Sequence, residues 1–179
     1  MSGSLNLPTL PPVEREARPL NYPETVTLLR RIPIFAKLEP ASLKLLAFSS
    51  SYLSFNDGEV LCRQGEPGDS VFVIEEGEVD VTISAGGKLA HLATLGSHEL
   101  FGEMAVICNL PRSADVHARG PLRVLKIEGD VFLRLVTTNP DAALGVMRVL
   151  SERLMRVAEL YERLKRDLPG SFHPPTPSD

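Results

Sequence analysis

The chain has 179 residues, of which 43% are hydrophobic and 23% charged, and its formal net charge is −4. That length supports one well-buried domain with tails, while the charge excludes binding to nucleic acid or to an anionic membrane by bulk electrostatics. No apolar run reaches the roughly 18 residues of a membrane span, and the N-terminus lacks the basic-then-apolar layout of a secretion signal, so a cytoplasmic protein is expected.

In chain order, residues 1–22 hold Pro8, Pro11, Pro12 and Pro19 and few large apolar side chains. They bury too little to offset their ordering entropy and read as a disordered tail. Pro23 suits the first turn of a helix that ends before Pro33, and Pro40 opens a second helix to about Phe48 with Leu43, Leu46 and Ala47 on one face. This pair has helix-turn-helix spacing. Its exposed positions carry only Lys37, Lys44 and Glu39, too little to hold phosphates of a nucleic acid.

From Ser50 the period becomes strand-like. Strands are expected at 51–55, 59–62, 71–74, 79–83, 89–95, 114–118 and 122–127. The breaks fall at Asn56 to Gly58, Gln64 to Asp69, Glu75 to Glu78, Ala85 to Gly87, and the corner at Gly120-Pro121. Short strands with glycine turns argue for an antiparallel barrel or sandwich. The two cysteines, Cys62 and Cys108, stand in apolar runs and read as buried thiols of a reducing compartment, with a disulfide or metal pair as the alternative.

Helices return at Asp130 to about Thr137 and at Asp141 to about Lys165. Ala143, Met147, Leu150, Leu154, Val157, Tyr161 and Leu164 recur at steps of four and three over the 143–164 stretch. That heptad stripe reads equally as a face packed on the domain or as one that pairs with a second copy. Residues 167–179, with Pro169, Pro174, Pro175 and Pro177, read as a disordered tail. The expected organisation is therefore a domain at 23–166, with a barrel at about 50–128 and C-terminal helices at about 129–166, between two tails.

The chemistry concentrates in Phe101 to Val116. Gly102 after an apolar strand lets the backbone approach a ligand, and the short helix from Met104 to about Cys108 starts with free N–H groups aimed at an anion. Arg112 can bind two phosphate oxygens at once, Glu103 can accept from ribose hydroxyls, and Ser113 adds a small donor. These groups suit a nucleotide monophosphate. The competing reading is a structural Glu103–Arg112 ion pair on a turn. Catalysis has no comparable support: His91, His98, His117 and His173 form no short-spaced metal pair, and no Ser or Cys sits in a nucleophile elbow, so neither enzyme activity, metal nor cofactor is expected.

Phe101 to Ala105 resembles the start, and Pro111 to Ala114 the end, of the phosphate-binding cassette of cyclic nucleotide-binding domains, the module of the catabolite activator protein, cyclic-nucleotide-dependent kinases and gated channels. Gly65-Glu66, Gly68-Asp69 and the strands around Gly77 to Val79 are similar to the barrel motifs of that family, and the likeness runs over residues 31–165. It implies an α+β, mainly β fold, an antiparallel jelly-roll β barrel with N-terminal helices and a long C-terminal helix. It implies that the ligand is cAMP or cGMP, with cAMP favoured. Gly102, Glu103, Met104, Ala105, Arg112, Ser113 and Ala114 would form the phosphate and ribose side, with Glu103 on the 2′-hydroxyl and Arg112 on the cyclic phosphate. Cys62, Val81, Leu92, Ala93, Phe101 and Val116 would line the base side, joined from the long helix by Arg153 and Val157. Val157 and Ala158 stand where the activator protein has hydroxyl residues on adenine, so an apolar lid is expected there. Asp115, in place of a common Thr or Ser, is expected to point outward.

The resemblance further implies that the long helix pairs two subunits. With no kinase, channel or DNA-binding segment after that helix, the expectation is a stand-alone sensor that moves its C-terminal helices to signal to an unidentified effector protein. The alternative is an interaction scaffold with a vestigial pocket, acting through the stripe and tails.

Overall fold

The computed structural model describes residues 22–167 apart from residue 86; the tails expected at 1–22 and 167–179 lie, but for their inner ends, outside the described residues. Among the described residues two helices come first. Helix α1 (Tyr22–Arg31) has Glu24 in its first turn and Arg30 and Arg31 in its last, the arrangement its dipole favours, and it buries Thr25, Leu28 and Leu29. Helix α2 (Pro40–Phe48) starts on its proline and turns Leu43, Leu46 and Ala47 inward, as their spacing predicts.

Six strands then form one antiparallel sheet: β1 (Ser50–Phe55), β2 (Val60–Cys62), β3 (Ser70–Ala85), β4 (Lys88–Leu95), β5 (Leu100–Phe101) and β6 (Asp115–Glu128). The path runs β1-β6-β3-β4, with β2 also on β6 and β5 also on β3. Helix α3 (Glu103–Cys108) lies between β5 and β6, and α4 (Gly129–Thr138) and α5 (Pro140–Asp167) end the described residues. The arrangement is the mainly β jelly roll, with helices before and after it.

Two expected breaks are bends inside longer strands. The turn expected at Glu75 to Glu78 belongs to β3, and the corner expected at Gly120-Pro121 belongs to β6. Gly77 and Gly120 adopt φ of 94° and 78°, and the β3–β6 register shifts at Ile74/Glu76 and Glu76/Glu78. A Cβ on Gly77 would come within 2.4 Å of Pro121 O, so the two strands bend as a pair against each other. Glycine relieves the strain at the bend, and ladder pairing carries the strand through it.

Alternation along β3 and β6 divides the apolar residues between two cores. Phe72, Ile74, Val79, Val116, Ala118, Leu122 and Val124 join Cys62, Leu95 and Phe101 inside the curled sheet. Val71, Val73, Leu125 and Ile127 face the other way, onto Leu29, Phe35, Leu46, Phe132 and Val146 of the helices. The cysteines separate: Cys62 is buried, while Cys108, the last residue of α3, is exposed, because that short helix presents its C-terminal end to solvent.

Helix α5 packs through a face one position away from the predicted stripe. Ala142 and Val146 are buried, and Gly145 lies so close to the α1–α2 connector that a Cβ would be 2.7 Å from Ile34 Cα. Of the stripe, Met147, Leu154, Val157 and Tyr161 are exposed, at 56%, 70%, 60% and 57%.

Candidate functional site

The site begins where β5 ends. Phe101 pairs with Phe72 of β3, and the two rings stack with centroids 5.1 Å apart. Gly102 then takes φ 85°, outside the range an L side chain adopts readily, and α3 starts at Glu103, one residue before the expected Met104. A Cβ on Gly102 would stand 2.5 Å from Arg112 Nη1 and 3.1 Å from Ser70 O. This glycine is needed for close approach as much as for its backbone angle.

Arg112 is anchored at both ends. Its backbone N–H donates to Glu66 O at 2.8 Å, and its carbonyl accepts from Gly65 N at 2.8 Å. Its guanidinium donates to Gly102 O and to Ser70 Oγ, each at 3.1 Å, and lies 5.6 Å from the centroid of the Phe72 ring. The residue is only 7% exposed, yet both side-chain hydrogen bonds end on neutral oxygens. Burying a cation without an anionic partner is unfavourable, so the arrangement favours an anion placed against the remaining donors.

Glu103, the alternative partner for that charge, is engaged elsewhere. It is 1% exposed, and its Oε1 accepts from Arg153 Nη1 of α5, fifty positions along the chain. Arg153 also donates to Leu100 O. The Glu103–Arg112 ion pair considered from sequence is thus replaced by a Glu103–Arg153 pair that ties α5 to the β5–α3 turn. The second Glu103 oxygen, Oε2, is buried without a hydrogen-bond partner. A ligand hydroxyl would satisfy it.

Both groups face one cavity of about 390 Å³. Gly102, Glu103, Met104, Ala105, Arg112, Ser113 and Ala114 line it, as do Cys62, Val81, Leu92, Ala93, Phe101, Val116, Arg153 and Val157. The sheet explains the apolar wall, since Cys62 pairs with Val116, Val116 with Val81 and Val81 with Ala93, one row across four strands. Leu92, Met104 and Val157, exposed on the cavity rim, are apolar. Burial pushes the Cys62 thiol up to about 11, partly countered by the Arg112 charge, so this wall is neutral at physiological pH. Asp115 does not line the cavity; its Oδ1 accepts from Gln64 N at 2.8 Å and steadies the loop before β3.

Two lining residues were missed from sequence, Leu95 and Arg156. Leu95 continues the alternation from Ala93 on β4, and Arg156 follows Arg153 by three on α5, which puts both arginines on one helical face. Among the described residues, no group of three His, Cys, Asp or Glu could hold a metal, and no helix is long and apolar enough to cross a membrane.

Fold and cavity together place a buried arginine and a buried glutamate against one pocket beside a strand-to-helix turn. The cyclic nucleotide-binding domain family matches residues 52–139. Among curated proteins, a cyclic nucleotide-gated potassium channel of Mesorhizobium japonicum is 33% identical over 72% of this chain and 35% of its own length. A cAMP-dependent protein kinase regulatory subunit of Blastocladiella emersonii is 32% identical over 60% of this chain and 27% of its own. The chain thus spans only about a third of the length of these relatives. The regulatory domain of Toxoplasma gondii protein kinase A, solved with cAMP, superposes with a TM-score of 0.66 at 27% identity, covering 73% of this chain and 50% of that one. Residues 52–139 belong to the cyclic nucleotide-binding domain family.

Proposed function

We propose that the chain senses a cyclic nucleotide monophosphate, cAMP ahead of cGMP, and signals by moving its C-terminal helices. The observation that carries this reading is the pair of unfinished polar groups in one cavity: the buried Arg112 cation with neutral partners only, and the buried, unpartnered Glu103 Oε2. Arg112, the N–H groups of Met104 and Ala105, and Ser113 take the cyclic phosphate. Glu103 takes the ribose 2′-hydroxyl, and the row Cys62, Val116, Val81 and Ala93 takes the base, with Val157 as an apolar lid. The named cAMP partner of the kinase relatives supports cAMP over cGMP.

Signalling follows from the Glu103–Arg153 link. A ribose on Glu103 changes the pairing that holds α5 to the cassette, so the ligand favours whichever helix position it binds better. The output passes to an effector protein in the cytoplasm or to a second copy of the chain along α5.

Calorimetry on Arg112→Ala tests the site. Charge-assisted contacts of this kind are worth about 1.5–3 kcal/mol, which corresponds to a roughly ten- to hundredfold loss of cAMP affinity. Unchanged cAMP and cGMP binding would overturn the assignment.

The exposed apolar face of α5 favours a second reading, an interaction scaffold with a vestigial pocket. A thermal-shift series with cAMP, cGMP and cyclic dinucleotides separates the two, because a ligand at a hundred times its Kd stabilises by about 2.7 kcal/mol. No shift with any of them supports the scaffold.

A further inference from the structure

We propose that Ser70 is a positioning residue for phosphate recognition, a neutral acceptor that aims the Arg112 guanidinium without cancelling its charge. The inference rests on Arg112 being the phosphate receptor.

Ser70 is the first residue of β3, paired with Glu128, and is 2% exposed, so the sheet fixes its backbone and burial confines its hydroxyl. It accepts from Arg112 Nη2 at 3.1 Å, while Gly102 O accepts from Nη1 at the same distance. These two acceptors come from different elements and hold two branches of one planar group, which sets its orientation. Sterics narrow it further. A Cβ on Gly68 would lie 3.3 Å from Arg112 Cδ and Nε, one on Gly102 would lie 2.5 Å from Nη1, and the Phe72 ring lies alongside.

The chemistry of the acceptor matters. A guanidinium has five N–H donors, and two are engaged here. A carboxylate at residue 70 would orient the group equally well, but it would also compete with an incoming phosphate for the same charge. A hydroxyl supplies direction and leaves the positive charge for the ligand. Preorganised donors of this kind lower the cost of binding, because the side chain is already ordered.

Calorimetric titration of cAMP into the wild type, Ser70→Ala, Arg112→Ala and the double variant tests the inference, with melting curves confirming that each is folded. Ser70→Ala is expected to weaken cAMP binding about three- to tenfold. The same substitution in the Arg112→Ala background is expected to change nothing, because the group it aims is gone. Ser70→Cys, close in volume and a poor acceptor, is expected to lose as much as Ser70→Ala and serves if the alanine variant does not fold. Full affinity in the Ser70 variants would overturn the proposal. So would an equal loss with and without Arg112, which a purely structural role produces. Full affinity in Arg112→Ala would instead overturn the site reading beneath it.

Discussion

At the scale of single residues, Glu103 and Arg112 look like partners in sequence and are not partners in space. They stand nine positions apart with opposite charges, and only burial and pairing separate an ion pair from a binding site. Glu103 pairs instead with Arg153, and Arg112 spends its side chain on Ser70 and Gly102. Both residues stood out as candidates because donors and acceptors suited to a phosphorylated sugar are a short list. Ser70 did not, since a serine opening a strand has many commoner uses. The cysteines make the same point. Apolar context placed both inside, yet Cys62 faces the inner core while Cys108 ends an exposed helical turn. With its thiol pushed up to about 11 by burial, Cys62 has almost no thiolate at neutral pH. Iodoacetamide at pH 8, followed by peptide mass spectrometry, is therefore expected to alkylate Cys108 well before Cys62. Equal rates would contradict the burial of Cys62.

At the scale of elements, helices were read well and long strands poorly. Helix periodicity, proline starts and caps are local signals, and α2 matches its expected bounds. Strand continuity is not local. Glu75 to Glu78 and Gly120-Pro121 carry turn residues, yet β3 and β6 run through them because each is held by its neighbour across the bend. Periodicity also located an apolar stripe on α5 while the domain took the adjacent face, through Ala142, Gly145 and Val146. Gly145 marks that choice. On an exposed helix, Gly→Ala gains about 0.5–1 kcal/mol. Here the new methyl would meet Ile34 Cα at 2.7 Å, and backbone does not move aside easily. Overpacking costs about 1–3 kcal/mol, so Gly145→Ala is expected to lower the melting temperature by roughly 3–8 °C. A rise in thermal melts would show that α5 does not pack on the connector this closely.

At the scale of the whole molecule, α5 turns one apolar side away from the domain. Met147, Leu154, Met155 and Tyr161 are each more than half exposed, and no described residue covers them. Large apolar side chains left exposed along one helix suit an interaction site. If a second copy docks there, sedimentation velocity across concentration is expected to show a monomer–dimer equilibrium that Leu154→Glu abolishes. A wild-type monomer at every concentration would exclude pairing through this face. The same helix reaches Glu103 through Arg153, so pairing and ligand binding would share one element.

By itself the sequence determined the fold class and the helices on either side of the sheet, and it carried the functional groups of the candidate cassette. Those follow from period, turn residues and functional groups carried within a few positions. Tertiary structure alone decided which carboxylate meets which arginine, which cysteine is sheltered, and which face of α5 is spent on the core. Each of these depends on residues up to fifty or more positions apart being brought together, and burial and pairing do not exist until they are.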